Sequence, residues 1–369
     1  MESTGNPFRF GEPVSGDFFT GRYRERESML ADLANQKKVL LTAPRLFGKS
    51  SLARRVMSEL EYKGAITVYI DLERAYSPNR FIEIYLAELL RAAFRQAKEM
   101  RAFIQELNPE VREQLLLKLD PGDELILDLP EGIDSSAVAA AVMELAQHTA
   151  EFKKRPCVVC FDEISQGGNL PDALRNRLWE TVPRHASVGY LLVSLDESMK
   201  DKVSGLVHLP LDKIEDRYLR GYIKTRFENT GFRVPDPMID EILALTEGHP
   251  HYTQMLCRKL WNQGYSGKII SPKILSQALD ALLEVQSEFY GFLWSDLSLH
   301  QKNLLMAVVR GGGQKIFSQD YVARFGLGSF STVQKSLSRL LARQILERLA
   351  DGYVVRDPFF RRWLTRRMM

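Results

Sequence analysis

One octapeptide constrains this chain more than any other feature: Ala43-Pro44-Arg45-Leu46-Phe47-Gly48-Lys49-Ser50. It fits the pattern G-x-x-x-x-G-K-[ST] except at the first position, where Ala43 replaces Gly. In that pattern consecutive backbone N–H groups wrap around phosphate oxygens, and the N-terminus of the next helix points its dipole at them. Gly48 lets the backbone come close, Lys49 supplies charge for the β and γ oxygens, and Ser50 offers a hydroxyl to Mg²⁺. Pro44, Arg45 and Ser51 complete the loop and its flank, with Arg45 contacting phosphate or pairing with an acid. A chance GKS is common, but the setting here is specific. Lys38–Ala43 (KVLLTA) reads as a buried strand before the loop, and SLARRVMSELEYKG reads as a helix after it, stopped at Gly64.

A phosphate loop needs acids at the end of a second buried strand, and Val158-Val159-Cys160-Phe161-Asp162-Glu163 supplies them. Asp162 would orient Mg²⁺ through its water shell, and Glu163 would polarise the attacking water. Lys49 and Asp162 lie 113 positions apart, which is long for a compact nucleotide domain. We read the extra length, about 80–150, as a helical insertion with a break at Pro109, followed by a loop over Asp120–Asp134. Ala65–Leu72, Val188–Ser194 and Gly205–Leu211 are further short apolar runs. Strands of this kind separated by helices describe a parallel sheet covered on both faces.

After Asp212 the next strand signal is at Ile345, so residues 212–285 read as a helical bundle. The end of the chain shows three helices and a strand pair, ILERLADGYVVRD, turning at Asp351-Gly352, which is winged-helix organisation. The expected domains are therefore 1–211 for nucleotide, 212–285 for a lid, and 286–369 for a winged helix. A length of 369 residues agrees with two or three domains.

Three cysteines form no disulfide framework, no apolar run approaches the ~20 residues of a membrane span, and MESTGNPFRF lacks a secretion pattern. The expectation is a cytoplasmic protein with no membrane partner. Cys157 and Cys160 have C-x-x-C spacing but lie on the acid-bearing strand, and we read them as core. We read Trp294 and Trp363 as winged-helix core. His249 and His251 have no carboxylate at ligand spacing, so no metal site is expected there.

Net charge is +3, but Leu299–Met369 carries thirteen Lys and Arg against four Asp and Glu, or +9, leaving −6 for the rest. In Ser331–Arg343, Val333, Leu337, Leu340 and Leu341 form a core face, while Lys335, Arg339 and Arg343 point outward. Arg361, Arg362, Arg366 and Arg367 add to this basic patch. It would seat in a duplex DNA groove or dock on the acidic remainder of the chain.

Taken in order, NPFRFGEPVSGDFFTGRYRE, APRLFGKSS, FDE, VGYLLVS, TEGHPHYTQMLCRKLW and VVRDPFFRRWL resemble the archaeal-type ATPases of the STAND class, relatives of AAA+ proteins. The resemblance covers nearly the whole chain. It implies an α/β P-loop NTPase fold with helical lid and winged helix, binding ATP or ADP with Mg²⁺. It also implies that Phe19, Gly21 and Arg22 lie near the adenine. Gly248, His249 and Pro250 would close the lid, and Ser194 would sense the γ-phosphate.

Ring-forming relatives carry an arginine finger after the sensor strand. Asp196–Val207 holds Lys200 and Lys202 but no Arg. The expected activity is therefore a slow ATPase switch with a regulatory output toward a protein partner. The alternative is a DNA-binding initiator or recombination-type AAA+ ATPase using the basic winged helix.

Overall fold

The computed structural model describes residues 5–107, 117–119, 125–127, 135–164, 171–195, 197 and 199–367. The expected break at Pro109 lies outside them. Of the expected loop Asp120–Asp134, only Leu125–Leu127 is described, and it pairs antiparallel with Leu117–Leu119. Two compact units divide the chain: Gly11–Lys213, and Met1–Phe10 with Ile214–Met369.

The unit Gly11–Lys213 is built on a sheet of β1 (Lys38–Thr42), β2 (Ile66–Asp71), β5 (Cys157–Asp162), β6 (Val188–Ser194) and β7 (Leu206–Pro210), with β3 (Leu117–Leu119) and β4 (Leu125–Leu127) forming the separate hairpin. The order is β2-β5-β6-β1-β7 and every pairing is parallel. The strands are apolar on both sides because both faces are covered. Val39, Leu41, Val158, Cys160, Leu191 and Val193 pack under helices Tyr23–Ala34 and Lys49–Tyr62. Leu40, Val68, Ile70, Val159, Phe161 and Leu192 pack under Pro78–Ala93, Ser135–Lys153 and Asp172–Thr181. Pro78–Ala93 and Ser135–Lys153 thus form part of the layer on the sheet. Cys157 and Cys160 are buried on opposite faces, as three-residue spacing on a strand requires, and each is a core residue. Gly189 is where β6 passes under the end of the first helix. A Cβ there would meet the Leu33 carbonyl oxygen at 2.8 Å.

Parallel pairing brings the C-terminal ends of the strands to one edge. Because β6 lies between β1 and β5, Ser194 at its end separates the loop after Thr42 from Asp162.

The second unit has one continuous core. Helices Asp216–Glu228, Asp236–Thr246, Pro250–Gln263 and Pro272–Ser295 share it with Leu299–Gly311, Gln319–Phe325, Phe330–Ala342, the hairpin β8 (Leu346–Leu349) and β9 (Gly352–Val355), and Pro358–Arg366. Their starts are legible as caps. Ser271, Ser318 and Ser329 each accept an N–H from the residue three further on, and Ser298 with Gln301 forms a capping box. Gly352 pairs with Leu349, so the hairpin turns at Ala350-Asp351, one residue earlier than the expected Asp351-Gly352. Phe8 is fully buried in this unit, 4.8 Å from the Phe227 ring. Trp363 is buried in the shared core and Trp294 packs against it, both as expected. No helix among the described residues is long and apolar enough to cross a membrane.

Candidate active site

The loop after β1 has the backbone its sequence demands. Gly48 caps helix Lys49–Tyr62 at φ 84°, in the left-handed region that glycine enters without cost. Lys49 is the first helical residue, only 3% exposed, and its Nζ donates to the carbonyls of Ala43 and Pro44 at 3.0 Å each. Pro44 and Ser50 are half-buried and Arg45 is exposed. Ser51 is buried, and its Oγ accepts the Val14 N–H at 3.0 Å. Its hydroxyl is thus engaged by the N-terminal segment.

Asp162 ends β5 and is 4% exposed. Its Oδ1 accepts the Glu163 N–H at 3.0 Å, and its Oδ2 accepts the Tyr69 hydroxyl. Glu163 turns out of the strand at φ 58°, a left-handed conformation rare for a residue with a Cβ, and Ile164 returns to donate to the Val193 carbonyl at 2.8 Å. Burial raises the Glu163 carboxyl above its ordinary range; Lys49 and Arg45 pull it down, while Asp162 and Glu73 add to the rise. The loop lysine and the strand-end acids therefore lie within electrostatic reach of one another.

Ser194 is fully buried, opposite Thr42 in the β1–β6 register, and its carbonyl accepts the Ala43 N–H at 3.3 Å. Arg22 is 5% exposed and left-handed at φ 62°. Its guanidinium meets Glu25 at 3.1 Å and the Phe47 carbonyl at 3.4 Å, so it braces the loop from within the unit. Gly21 is buried and Phe19 packs against the core face of the loop helix. His249 and Pro250 belong to the other unit. There Gly248, at φ 67°, turns the chain, and His249 caps Pro250–Gln263.

Three neighbours escaped sequence reasoning: Tyr69, Arg54 and Glu73. Ala65–Leu72 reads as an apolar run, yet Thr67, Tyr69 and Asp71 alternate as its less buried positions. The alternation was visible; that it faces Asp162 needed the pairing Tyr69↔Cys160 and Asp71↔Asp162.

The chemistry of these donors fits a magnesium nucleotide. A helix N-terminus with an open glycine, whose added Cβ would meet nothing within 4 Å, a lysine held in the loop and a hydroxyl in the first turn answer phosphate. A buried carboxylate at the end of β5, one strand removed from the loop, answers a hydrated hard cation.

Residues 288–366 match the model of a probable winged helix domain. The Walker-type ATPase of Pyrococcus abyssi is similar at 17% identity and TM-score 0.65, over 97% of this chain and 99% of that one. The ORC1 protein of Aeropyrum pernix, solved in complex with DNA, is similar at 15% identity and TM-score 0.48, over 96% of each chain. The RuvB Holliday junction branch migration motor of Thermotoga maritima is similar at 17% identity and TM-score 0.43, over 93% of this chain and 94% of that one. No curated protein matches the chain. The fold is that of a P-loop NTPase with a C-terminal winged helix.

Proposed function

We propose that this chain is an ATP-hydrolysing molecular switch of the archaeal-type STAND class. Lys49 and the N–H groups at the start of its helix hold the phosphates. Ser50 and Asp162 hold Mg²⁺, which when bound neutralises charge building on the phosphate oxygens. Glu163 orients and polarises the attacking water. Ser194, between loop and acid, reads the end of the phosphate chain. His249 and Pro250 act as the lid contact, and Phe19, Gly21 and Arg22 form the adenine side. Residues 199–207 carry only lysine as cation, which favours slow turnover within one chain over trans activation in a ring. The output is a change in lid and winged-helix orientation read by a protein partner in the cytoplasm.

The observation that carries the reading is that Lys49 opens the helix after β1 and Asp162-Glu163 follow β5, at the same edge of one parallel sheet. Purified protein should bind a fluorescent ATP analogue and release phosphate. Lys49→Ala should abolish both, and binding unchanged by that substitution overturns the reading.

A second reading, duplex DNA contact, is favoured by Lys335 and Arg339. Both are exposed on the helix Phe330–Ala342, and no ion pair with a described residue engages them. Three other arginines of the patch are paired within the unit: Arg343 with Asp296 at 2.7 Å, Arg361 with Glu247 at 2.7 Å, and Arg366 with Asp280. If Lys335 and Arg339 meet phosphates, replacing both with Ala lowers the slope of log affinity against log salt by about 2. An unchanged slope removes this reading.

A further inference from the structure

The phosphate loop and the strand-end acid are usually considered as two elements, but here a third connects them. β2 and β5 run parallel with Tyr69 opposite Cys160 and Asp71 opposite Asp162. Side chains alternate along a strand, so Tyr69 and Asp162 lie on the same face, the one covered by helix Lys49–Tyr62. Tyr69 is two residues short of the strand end. Its length carries the hydroxyl to Asp162 Oδ2, while Oδ1 takes the Glu163 N–H.

A carboxylate can rotate about its terminal torsion, and each oxygen accepts more than one hydrogen bond. One fixed donor on each oxygen removes that freedom and leaves acceptor capacity on both. The donor on Oδ2 is itself held. The Arg54 guanidinium, on the helix that begins with Lys49, lies 4.7 Å from the centre of the Tyr69 ring. Arg54 is exposed and has no ion pair with a described residue, and its charge faces Tyr69, Asp162 and Asp71. At 4% exposure Asp162 has little water to replace a lost donor.

We infer that Tyr69 is a positioning residue for Asp162, holding the carboxylate in the orientation that receives the hydrated metal, and that Arg54 holds Tyr69. This rests on the reading of Asp162 as the metal-side acid. It adds that metal-dependent nucleotide binding is set by a chain of contacts from the loop helix through β2 to β5.

The test uses the full chain and a fluorescent ATP analogue, with affinity measured in Mg²⁺ and in EDTA. The wild type should bind more tightly in Mg²⁺, and Asp162→Asn should bring the ratio of the two affinities close to one. Tyr69→Phe keeps the ring, its packing and the Arg54 guanidinium 4.7 Å from its centre, and removes the hydroxyl with its hydrogen bonds. It should lower the ratio about 10-fold, the loss expected for a hydrogen bond to a charged group, with EDTA affinity and melting temperature unchanged. Arg54→Ala, at an exposed position that folding tolerates, should lower the ratio about 3-fold.

If Asp162→Asn collapses the ratio but Tyr69→Phe preserves it, the positioning role is overturned and the metal-side reading stands. If Asp162→Asn also preserves it, the reading of Asp162 fails and takes the inference with it. A fall in affinity for Tyr69→Phe that is equal in Mg²⁺ and EDTA makes the tyrosine merely structural and overturns the inference.

Discussion

Glu163 sits in a left-handed conformation that costs about 1–3 kcal/mol for a residue with a Cβ. Its carboxyl is also raised by burial. Both costs are explained if the carboxylate must point out of the strand end toward the loop. Two substitutions separate the costs from the function. Glu163→Gln should cut ATP turnover at least about 100-fold with nucleotide affinity retained, as removal of a general base does. Glu163→Gly should lose turnover equally, while urea denaturation finds stability within about 1 kcal/mol of wild type or above it, because glycine relieves the backbone. A Glu163→Gln protein that turns over normally would show that the water is oriented elsewhere. A second single-residue effect follows from His251, whose ring is packed between Phe10 at 5.5 Å and Tyr252 at 5.4 Å. Burial lowers it to about 4, below the ordinary ~6.5 of an exposed imidazole. Above that ordinary value the folded and unfolded forms are both neutral. As pH falls from about 6.5 toward about 4, the unfolded chain takes up a proton that the folded one does not, and stability drops. The stability difference between wild type and His251→Phe should therefore move in favour of the variant between pH 7 and pH 4.5, measured by urea midpoints.

At the scale of elements, the caps show how local signals become tertiary ones. Ser298 and Gln301 form a capping box that the sequence displays outright. Asp357 begins the last helix in the same manner, accepting the Phe359 and Phe360 N–H groups at 2.8 and 3.0 Å. It also accepts the Tyr290 hydroxyl at 2.9 Å from the long helix Pro272–Ser295. This carboxylate fixes a helix start and joins two helices at once, and burial raises it above its ordinary range. Asp357→Ala removes a cap worth about 1 kcal/mol and leaves a buried hydroxyl without its acceptor, so a loss of about 2–4 kcal/mol is expected. Asp357→Asn keeps one acceptor oxygen for the Phe359 and Phe360 N–H groups and turns an amide N–H toward the Tyr290 oxygen, which can accept it, so it should cost less than half as much in the same denaturation assay. The β2 strand makes the complementary point. Its existence was readable from β-branched and apolar residues, but the use of Tyr69 was not, because alternation gives a face and only register gives a neighbour.

Across the whole chain, the charge split of +9 against −6 acquires a structural meaning within the second unit. Part of the basic excess is spent internally: Arg361 reaches Glu247, one residue before Gly248, and Arg366 reaches Asp280. The terminal helix also packs Phe359 against Tyr252, at 5.2 Å, directly after Pro250 and His251. The segment with the lid motif and the winged helix therefore share a core and an ion pair. The pair is about a third exposed on each side, so a double-mutant cycle with Arg361→Ala and Glu247→Ala should give a coupling near 0.5 kcal/mol. A coupling of zero would mean that apolar packing alone joins them.

The sequence by itself determined the local features: the phosphate loop with its strand and helix, the acid pair, the winged-helix order and the uneven charge. Each depends on residues close together in the chain, where spacing alone constrains chemistry. Tertiary structure decided what spacing cannot reach. It inserted β6 between β1 and β5 so that Ser194 separates loop from acid, and it set Tyr69 beside Asp162 across 93 residues. It engaged the Ser51 hydroxyl with Val14 and turned Arg22 onto the Phe47 carbonyl. It paired Arg343, Arg361 and Arg366 of the basic patch with acids and left Lys335 and Arg339 exposed. The physical reason is common to all of these. Strand order, register and side-chain pairing are settled by burial of the whole core, and no local window of sequence contains that information.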